Sequence, residues 1–158
     1  MDPIVIGHRA ANLPTADAFL VVDDPAGLFR FDVYFRELAM PPKAWRWDSV
    51  FIISGGPYLS LFNIANANLI TVPIDAYVTA IYAQARQLFV STASEVLCFD
   101  DNLDLIESYH NLGIDGVTIE NVTNDSIAGA GEWDPPGGWR TFKIQRKPLD
   151  STRGGGIA

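Results

Sequence analysis

The sequence predicts an all-β fold built from repeated four-stranded antiparallel sheets. A phrase of strand-forming residues returns after 37 residues, the interval from Ser54 to Ser91 and from Phe62 to Phe99. Short runs of β-branched and aromatic residues, bounded by Gly, Pro, Asn and Asp, dominate the chain, and the helical period of 3.6 is poorly represented. A repeat of this length is typical of an architecture made from copies of one supersecondary unit.

The repeated phrase occurs three times. It reads VFIISGGPYLSLFN at Val50–Asn63, LFVSTASEVLCFDD at Leu88–Asp101 and, with an insertion, SIAGAGEWDPPGGWRTFKI at Ser126–Ile144. In the third copy Phe142 aligns with Phe62 and Phe99 once the WDPPGG segment is taken out. Strands spaced roughly 8–12 residues apart are typical of sandwiches, barrels and propellers. We expect thirteen strands: Ile4–Gly7, Ala18–Val22, Leu28–Phe35, Ser49–Ser54, Tyr58–Asn63, Leu69–Pro73, Val78–Ala83, Gln87–Ser91, Glu95–Phe99, Leu105–Tyr109, Val117–Val122, Ser126–Glu132 and Trp139–Gln145.

The strands group into quartets. One predicted sheet begins with Val50–Ser54 and ends with Val78–Ala83, and the next begins with Leu88–Ser91 and ends with Val117–Val122. Small residues in SGGP and STAS suit the turns between paired strands. Ala76–Gln87 has some helix propensity, but YVTAIYA also alternates and lies where the repeat requires a strand.

The predicted sheets form a small or partial β-propeller-like domain over residues 1–150, and residues 151–158 (STRGGGIA) read as a flexible tail. The chain offers about three and a half quartets, whereas closed propellers have about four to eight blades. An N-terminal strand could complete the last sheet, two chains could pair as a homodimer, or the sheets could stack as a sandwich. The first solution is the one the sequence favours.

Composition narrows the classes of protein. An apolar content of 48% with 19% charged residues is that of a globular chain. No apolar run reaches the ~18 residues that a membrane helix needs, and the first residues lack the pattern of a secretory signal. Cys98 is the single cysteine, so an intramolecular disulfide and a multi-cysteine metal site are excluded. We expect a cytoplasmic protein with no membrane partner and with Cys98 buried in a strand.

The acidic residues are concentrated in one part of the chain. No Lys or Arg lies between Arg86 and Arg140, a window that contains ten of the 19 acidic residues, and the net charge of the chain is −8. This distribution argues against nucleic acid as a partner, because phosphate binding requires Lys and Arg. It favours a basic protein as partner, although loops rich in Asp and the demands of solubility would give the same pattern.

Gly131–Trp139 (GEWDPPGGW) is the least generic segment. Two tryptophans bracket Asp134, two prolines that stiffen the loop and two glycines that let it reverse. Such a segment suits a binding loop, since a rigid aromatic surface beside a carboxylate is common in protein and sugar recognition. A tryptophan-packed turn that closes one end of the sheets is the alternative. The candidate binding residues are Asp115, Glu132, Trp133, Asp134 and Trp139.

A resemblance to known proteins rests on this segment. LGIDG at Leu112–Gly116 followed by Val117, then G-x-GEWDPPGGW and Phe142, resembles a family of small uncharacterised bacterial proteins with short repeated strands. The resemblance covers roughly residues 45–144 and implies the same all-β, propeller-like fold, but no activity. Thr141 stands where a proline is expected, and the first 40 residues lie outside the match.

Signatures of catalysis or metal binding are weak. Asp100, Asn102 and Asp104 have the spacing of a calcium loop, but Leu105 replaces its glycine, so a turn between strands is expected. With two histidines and one cysteine we expect no metal site and no cofactor, and His110 reads as an exposed polar residue. No nucleophile elbow, Walker motif or dinucleotide-binding motif occurs, so no catalytic residue is assigned.

Three hypotheses for function follow. The first is a non-catalytic protein-binding module, in its most concrete form an acidic immunity- or inhibitor-type protein that occupies a basic partner. The second is an enzyme acting on a carbohydrate or small ligand with carboxylates from Asp115, Glu132 and Asp134. The third is a structural subunit whose sheets close only in an oligomer. The absence of catalytic signatures favours the first, and enzymatic activity is the less favoured alternative.

Overall fold

The computed structural model describes residues 2–7, 9, 15–35, 41–134 and 136–147, which contain fourteen β-strands in four sheets. The chain divides into two compact units, Met1–Val78 and Thr79–Ala158. No helix long and apolar enough to cross a membrane occurs in the described part of the chain.

The strands are β1 (Ile4–Gly7), β2 (Ala18–Asp24), β3 (Gly27–Tyr34), β4 (Lys43–Trp47), β5 (Val50–Gly55), β6 (Tyr58–Asn63), β7 (Asn68–Pro73), β8 (Ala80–Gln84), β9 (Gln87–Ser91), β10 (Val96–Asp100), β11 (Leu105–Tyr109), β12 (Val117–Val122), β13 (Ser126–Glu132) and β14 (Trp139–Gln145).

The first unit contains two sheets with strand orders β1-β3-β2 and β4-β5-β6-β7. All neighbouring strands are antiparallel except β1, which runs parallel to β3. The two sheets share an aromatic core in which Phe31 makes edge-to-face contacts with Phe51 and Phe62 at 5.5 and 5.8 Å between ring centroids. Such pairs add to the hydrophobic free energy gained by burying the rings.

The second unit has the same two-sheet construction, with strand orders β8-β9-β10-β11 and β12-β13-β14. Its core brings Phe89 and Cys98 of the first sheet together with Val117 and Ile127 of the second. Cys98 is fully buried, as predicted, and behaves there as a small apolar side chain. The prediction of an all-β fold with repeated sheets is confirmed. Closure into a propeller and a single domain over residues 1–150 stay predictions, and the tail lies outside the described residues.

The 37-residue period is confirmed in the order of the strands. Adding 37 to the first residues of β4, β5 and β7 gives the first residues of β8, β9 and β11, and β12 begins 37 residues after β8. The two-residue turns that begin at Asp48 and Ala85 are also 37 residues apart, and both residues have positive φ angles, 48° and 51°. The repeat therefore preserves backbone conformation as well as hydrophobic pattern.

The predicted grouping of strands into sheets is wrong by one strand. The strand predicted to end the first quartet is β8, which begins the next sheet, and the strand predicted to end the second quartet is β12, which begins the third. The prediction also omits β4, whose residues Trp45 and Trp47 share its half-buried face. The tight hairpins at Asp48 and Ala85 explain the correct grouping, because a two-residue turn forces antiparallel pairing of the strands on either side.

The N-terminal strand does not complete the last sheet within the described residues. β1 pairs with β3 of its own unit, and the sheet β12-β13-β14 has three strands. The described residues thus form two four-stranded and two three-stranded sheets rather than a series of complete quartets.

Candidate binding surface

The five predicted binding residues lie at one end of the sheet β12-β13-β14. Glu132 is the last residue of β13 and pairs directly with Trp139, the first residue of β14. Trp133 and Asp134 lie in the turn that joins the two strands, and Asp115 lies in the loop that leads into β12. The structure therefore places all five side chains on neighbouring segments of backbone.

The turn after β13 is held by hydrogen bonds from its two glycines. The backbone N–H of Gly137 donates to Oε1 of Glu132 at 2.6 Å, and that of Gly138 donates to the carbonyl oxygen of Asp134 at 2.9 Å. The N–H of Trp133 donates to the carbonyl oxygen of Gly138 at 3.0 Å. The Glu132 carboxylate thus fixes the turn that carries the two tryptophans.

The loop before β12 is joined to the other side of Glu132. The N–H of Ile114 donates to the carbonyl oxygen of Glu132 at 2.8 Å. The N–H of Glu132 in turn donates to the carbonyl oxygen of Gly116, also at 2.8 Å. Asp115 lies between these two bonded residues. A Cβ at Gly116 would stand 3.3 Å from Cη2 of Trp139, so the absence of a side chain there leaves room for the indole ring.

These residues form what we call the tryptophan surface: Ile114, Asp115, Glu132, Trp133, Asp134 and Trp139. Trp139 is 47% exposed and Ile114 is 56% exposed, and Asp115 and Asp134 are exposed as well. Trp133 is half-buried, with the Arg140 guanidinium carbon 6.0 Å from its ring centroid. Large apolar groups and carboxylates therefore meet solvent side by side.

The loop between β11 and β12 attaches this surface to the sheet β8-β9-β10-β11. The N–H of Leu112 donates to the carbonyl oxygen of Ser94 at 2.8 Å. Nδ1 of His110 lies 2.6 Å from Oε2 of Glu95, and the His110 side chain is 59% exposed, as predicted. The loop is thus anchored to both sheets of the second unit.

The negative charge of the second unit is partly neutralised by ion pairs between its own residues. Residues 79–147 contain five bases and ten acids, a net charge of −5. Asp101 pairs with Arg86, and Glu107 pairs with Arg146. Asp100 accepts hydrogen bonds from the N–H groups of Asn102 and Asp104, both at 2.9 Å, which confirms the predicted turn. The exposed acids include Asp104, Asp115, Glu120, Asp125 and Asp134.

A buried ion pair at the opposite end of the unit was not predicted. The side chains of Arg146 and Glu107 are 7% and 3% exposed, and their atoms meet at 2.6 and 3.2 Å. The hydroxyl of Tyr109 also donates to Glu107. Burial and this hydrogen bond raise the pKa of Tyr109 to about 12, and burial together with the Glu107 charge raises the pKa of Cys98 to about 12.

Arg146 is held by several further groups. Its guanidinium donates to Oε1 of Gln87 at 2.9 Å and to the carbonyl oxygen of Thr123 at 3.1 Å, and it lies 5.2 Å from the Phe89 ring centroid. The hydrogen bond to Glu107 raises the pKa of Arg146 further. This cluster ties the end of β14 to the sheet β8-β11 and leaves the tryptophan surface outside it.

Sequence reasoning missed the contributions of Ile114, Gly116 and Arg140 to the surface. The two glycines of LGIDG were an available signal, because glycine in a strand-rich sequence often marks a close approach of another group.

No protein-family model matches the chain, and a search of curated proteins finds no similar sequence.

Proposed function

We propose that the chain is a non-catalytic protein-binding module that uses the tryptophan surface to bind a basic partner. The observation that carries this proposal is the exposure of Trp139, 47% of which meets solvent although its backbone is fixed by pairing with Glu132. A tryptophan side chain has only two rotatable bonds and therefore loses little conformational entropy on binding, and tryptophan is enriched among residues that dominate binding energy.

Charge supports a basic partner of the immunity or inhibitor type. Asp115 and Asp134 are exposed beside the apolar groups, and the unit as a whole has a net charge of −5. A negative potential speeds the approach of a positive surface, and the carboxylates then favour Lys or Arg at the rim of the contact.

The carbohydrate-active alternative requires a carboxylate free to exchange protons with a substrate. Oε1 of Glu132 instead accepts the N–H of Gly137. No observed feature favours this alternative over binding, although one variant separates the two. Glu132→Gln retains an oxygen that can accept the Gly137 N–H but removes the carboxylate. It should preserve partner binding, whereas an enzyme built on Glu132 would lose turnover of a panel of aryl glycosides.

The proposal is tested by selecting ligands for the full chain from a phage-displayed library of random peptides. We expect the recovered peptides to be enriched in Lys and Arg and to bind more weakly as salt rises. Trp139→Ala should weaken their binding by about 2 kcal/mol or more, roughly 30-fold. Asp134→Asn should chiefly slow association and reduce the salt dependence.

Matched controls lie in the same unit at the end away from the surface. Leu105 is 49% exposed, and Asp104 is exposed in the turn just before it. Leu105→Ala and Asp104→Asn should leave peptide binding within about twofold of the wild type, as expected for residues outside a contact. Peptides without basic residues, or equal losses in Leu105→Ala and Trp139→Ala, would contradict the proposal.

A further inference from the structure

The strand β2 is an edge strand without the usual protection. It pairs with β3 in a continuous register from Ala18 to Asp24 and has no partner on its other side among the described residues. Its seven residues contain no Lys, Arg or Pro, and its two acids lie at its C-terminal end. An unpaired edge of this length exposes backbone N–H and C=O groups that can pair with another strand.

The other sheet edges of the described residues carry protective features. β1, β8 and β11 have only four or five residues, and the pairing of β12 with β13 is interrupted by a register shift. The remaining three contain charged residues or proline, namely Lys43 and Arg46 in β4, Pro73 in β7, and Arg140 and Lys143 in β14. β2 is the longest of these edge strands that lack Lys, Arg and Pro, and its register with β3 is continuous.

The outer face beside this edge carries exposed apolar side chains and one compensated ion pair. Phe19 and Val21 are 53% and 63% exposed. On the next strand Nε of Arg30 lies 2.7 Å from Oδ1 of Asp32, and the guanidinium lies 4.9 Å from the Phe19 ring centroid. Arg30 and Asp32 compensate each other, which leaves Asp23, on the same face of β2, as the charge that a contact between two copies must keep away from other acids.

We propose that a second copy of the chain pairs with β2 through an antiparallel β2–β2 contact centred on Val21. In that register Asp23 of one copy stands opposite Phe19 of the other, and no acid faces an acid. Centring on Leu20 would place Asp23 opposite Asp17, which like-charge repulsion disfavours. Asp24 is already paired with Arg46 at 2.7 Å, which lowers the net negative charge at that end of the strand.

The same register gives the exposed side chains neighbours. Val21 stands directly opposite its own copy, and Phe19 lies diagonally across from it, within reach of an aromatic ring. The pairing joins two three-stranded sheets into one six-stranded sheet and satisfies the backbone groups of both edges. A twofold axis makes the contact self-complementary, as in most homodimers.

Disulfide formation tests both the contact and its register. Directly opposite residues of an antiparallel pair have Cα atoms about 4.5–5.5 Å apart, which a disulfide can span. With oxidised glutathione as oxidant, Val21→Cys should therefore form a covalent dimer. Phe19→Cys is the matched control, because the two copies of that position would lie four residues apart along the strands, about 13 Å. We expect at least tenfold slower cross-linking there, and equal rates would overturn the register.

Sedimentation velocity over ~1–500 µM protein tests the dimer without cross-linking. The wild type should change with concentration from a monomer of 17.3 kDa to a species of twice that mass. Val21→Lys places two ammonium groups face to face at the axis and should remain monomeric, while circular dichroism verifies that it is folded. A wild type that is monomeric at every concentration, or a Val21→Lys variant that still dimerises, would overturn the proposal.

Discussion

Breaking the ion pair between Arg146 and Glu107 should destabilise the second unit strongly. Both side chains are at least nine-tenths buried, so Glu107→Gln leaves the guanidinium charge without a carboxylate, and Arg146→Met leaves the carboxylate without a cation. Removing one partner of a buried pair costs about 3–5 kcal/mol. We expect about 3 kcal/mol for Glu107→Gln, because Gln87, Thr123 and the Phe89 ring continue to contact the guanidinium.

The double variant decides whether the effect belongs to the pair. With both charges removed no buried ion remains unpaired, so the loss should fall short of the sum of the single losses by about 2 kcal/mol. Arg86→Met is the control within the same unit, since the pair of Arg86 with Asp101 is 83% and 35% exposed. An exposed pair contributes at most about 1 kcal/mol.

Urea unfolding followed by tryptophan fluorescence measures these losses. A background in which Trp45 and Trp47 are replaced by Phe leaves only Trp133 and Trp139, both in the second unit. With a urea dependence of about 1–3 kcal/mol per molar, a loss of 3 kcal/mol lowers the midpoint by about 1–3 M. Single losses under about 1 kcal/mol, or additive losses in the double variant, would refute the reasoning from burial.

Three further predictions concern the second unit. Gly131→Ala should cost about 3 kcal/mol in urea unfolding, because a Cβ there would collide with the carbonyl oxygen of Leu112; a loss under about 1 kcal/mol would contradict this. Cys98 should resist a thiol reagent at pH 8 until the protein unfolds, because its thiol is fully buried and its pKa is raised to about 12; rapid labelling of the native protein would count against this. The pKa of Tyr109 is raised from 10.0 to about 12 in the folded state, so its contribution to stability is complete below about pH 10 and is lost as the pH rises towards 12. Urea midpoints measured across that pH range should fall less steeply in Tyr109→Phe than in the wild type, and parallel profiles would show that another group is responsible.

The strands could be predicted from the sequence because local signals define them. Alternation in β2, where half-buried residues such as Leu20 and Val22 interleave with exposed Phe19 and Val21, is a direct consequence of side chains pointing to opposite faces. The 37-residue period was visible because the repeat conserves the spacing of turns as well as the apolar pattern. These signals depend only on neighbours along the chain.

The grouping of strands could not be predicted from the same signals. The repeat fixes the spacing between equivalent strands but not which strand is the first of a sheet. Any four consecutive strands are therefore equally compatible with a 37-residue period. The structure begins each quartet at the strand before a two-residue turn, at Asp48 and at Ala85. Neither turn contains the Asn-Gly or Asp-Gly pair that usually identifies such hairpins, and β4 follows two prolines that suggest a loop.

The proximity of the five predicted binding residues depends on one pairing that the sequence predicts and one that it does not. Glu132 and Trp139 are placed by the β13–β14 hairpin, which the segment GEWDPPGGW makes predictable. Asp115 is placed by two backbone hydrogen bonds with Glu132, 16–18 residues away: the N–H of Ile114 donates to the Glu132 carbonyl oxygen, and the Gly116 carbonyl oxygen accepts from the Glu132 N–H. The ion pair of Glu107 with Arg146 spans 39 residues, and no local pattern indicates that either charge is buried.

The tryptophan surface lies where the third copy departs from the repeat. The hairpin between the second and third strands has two residues after Gly55, four after Ser91 and six after Glu132. Closing a loop of six residues rather than two costs only about 1 kcal/mol in chain entropy, since the cost grows with the logarithm of length. The hydrogen bond from Gly137 to the Glu132 carboxylate contributes about 1 kcal/mol at this exposed site and offsets that cost. The third copy can thus carry a longer turn, with Trp133 in it and Trp139 directly after it, without a loss of stability. In such repeats, the segment where the period is interrupted is therefore the first place to look for a functional site.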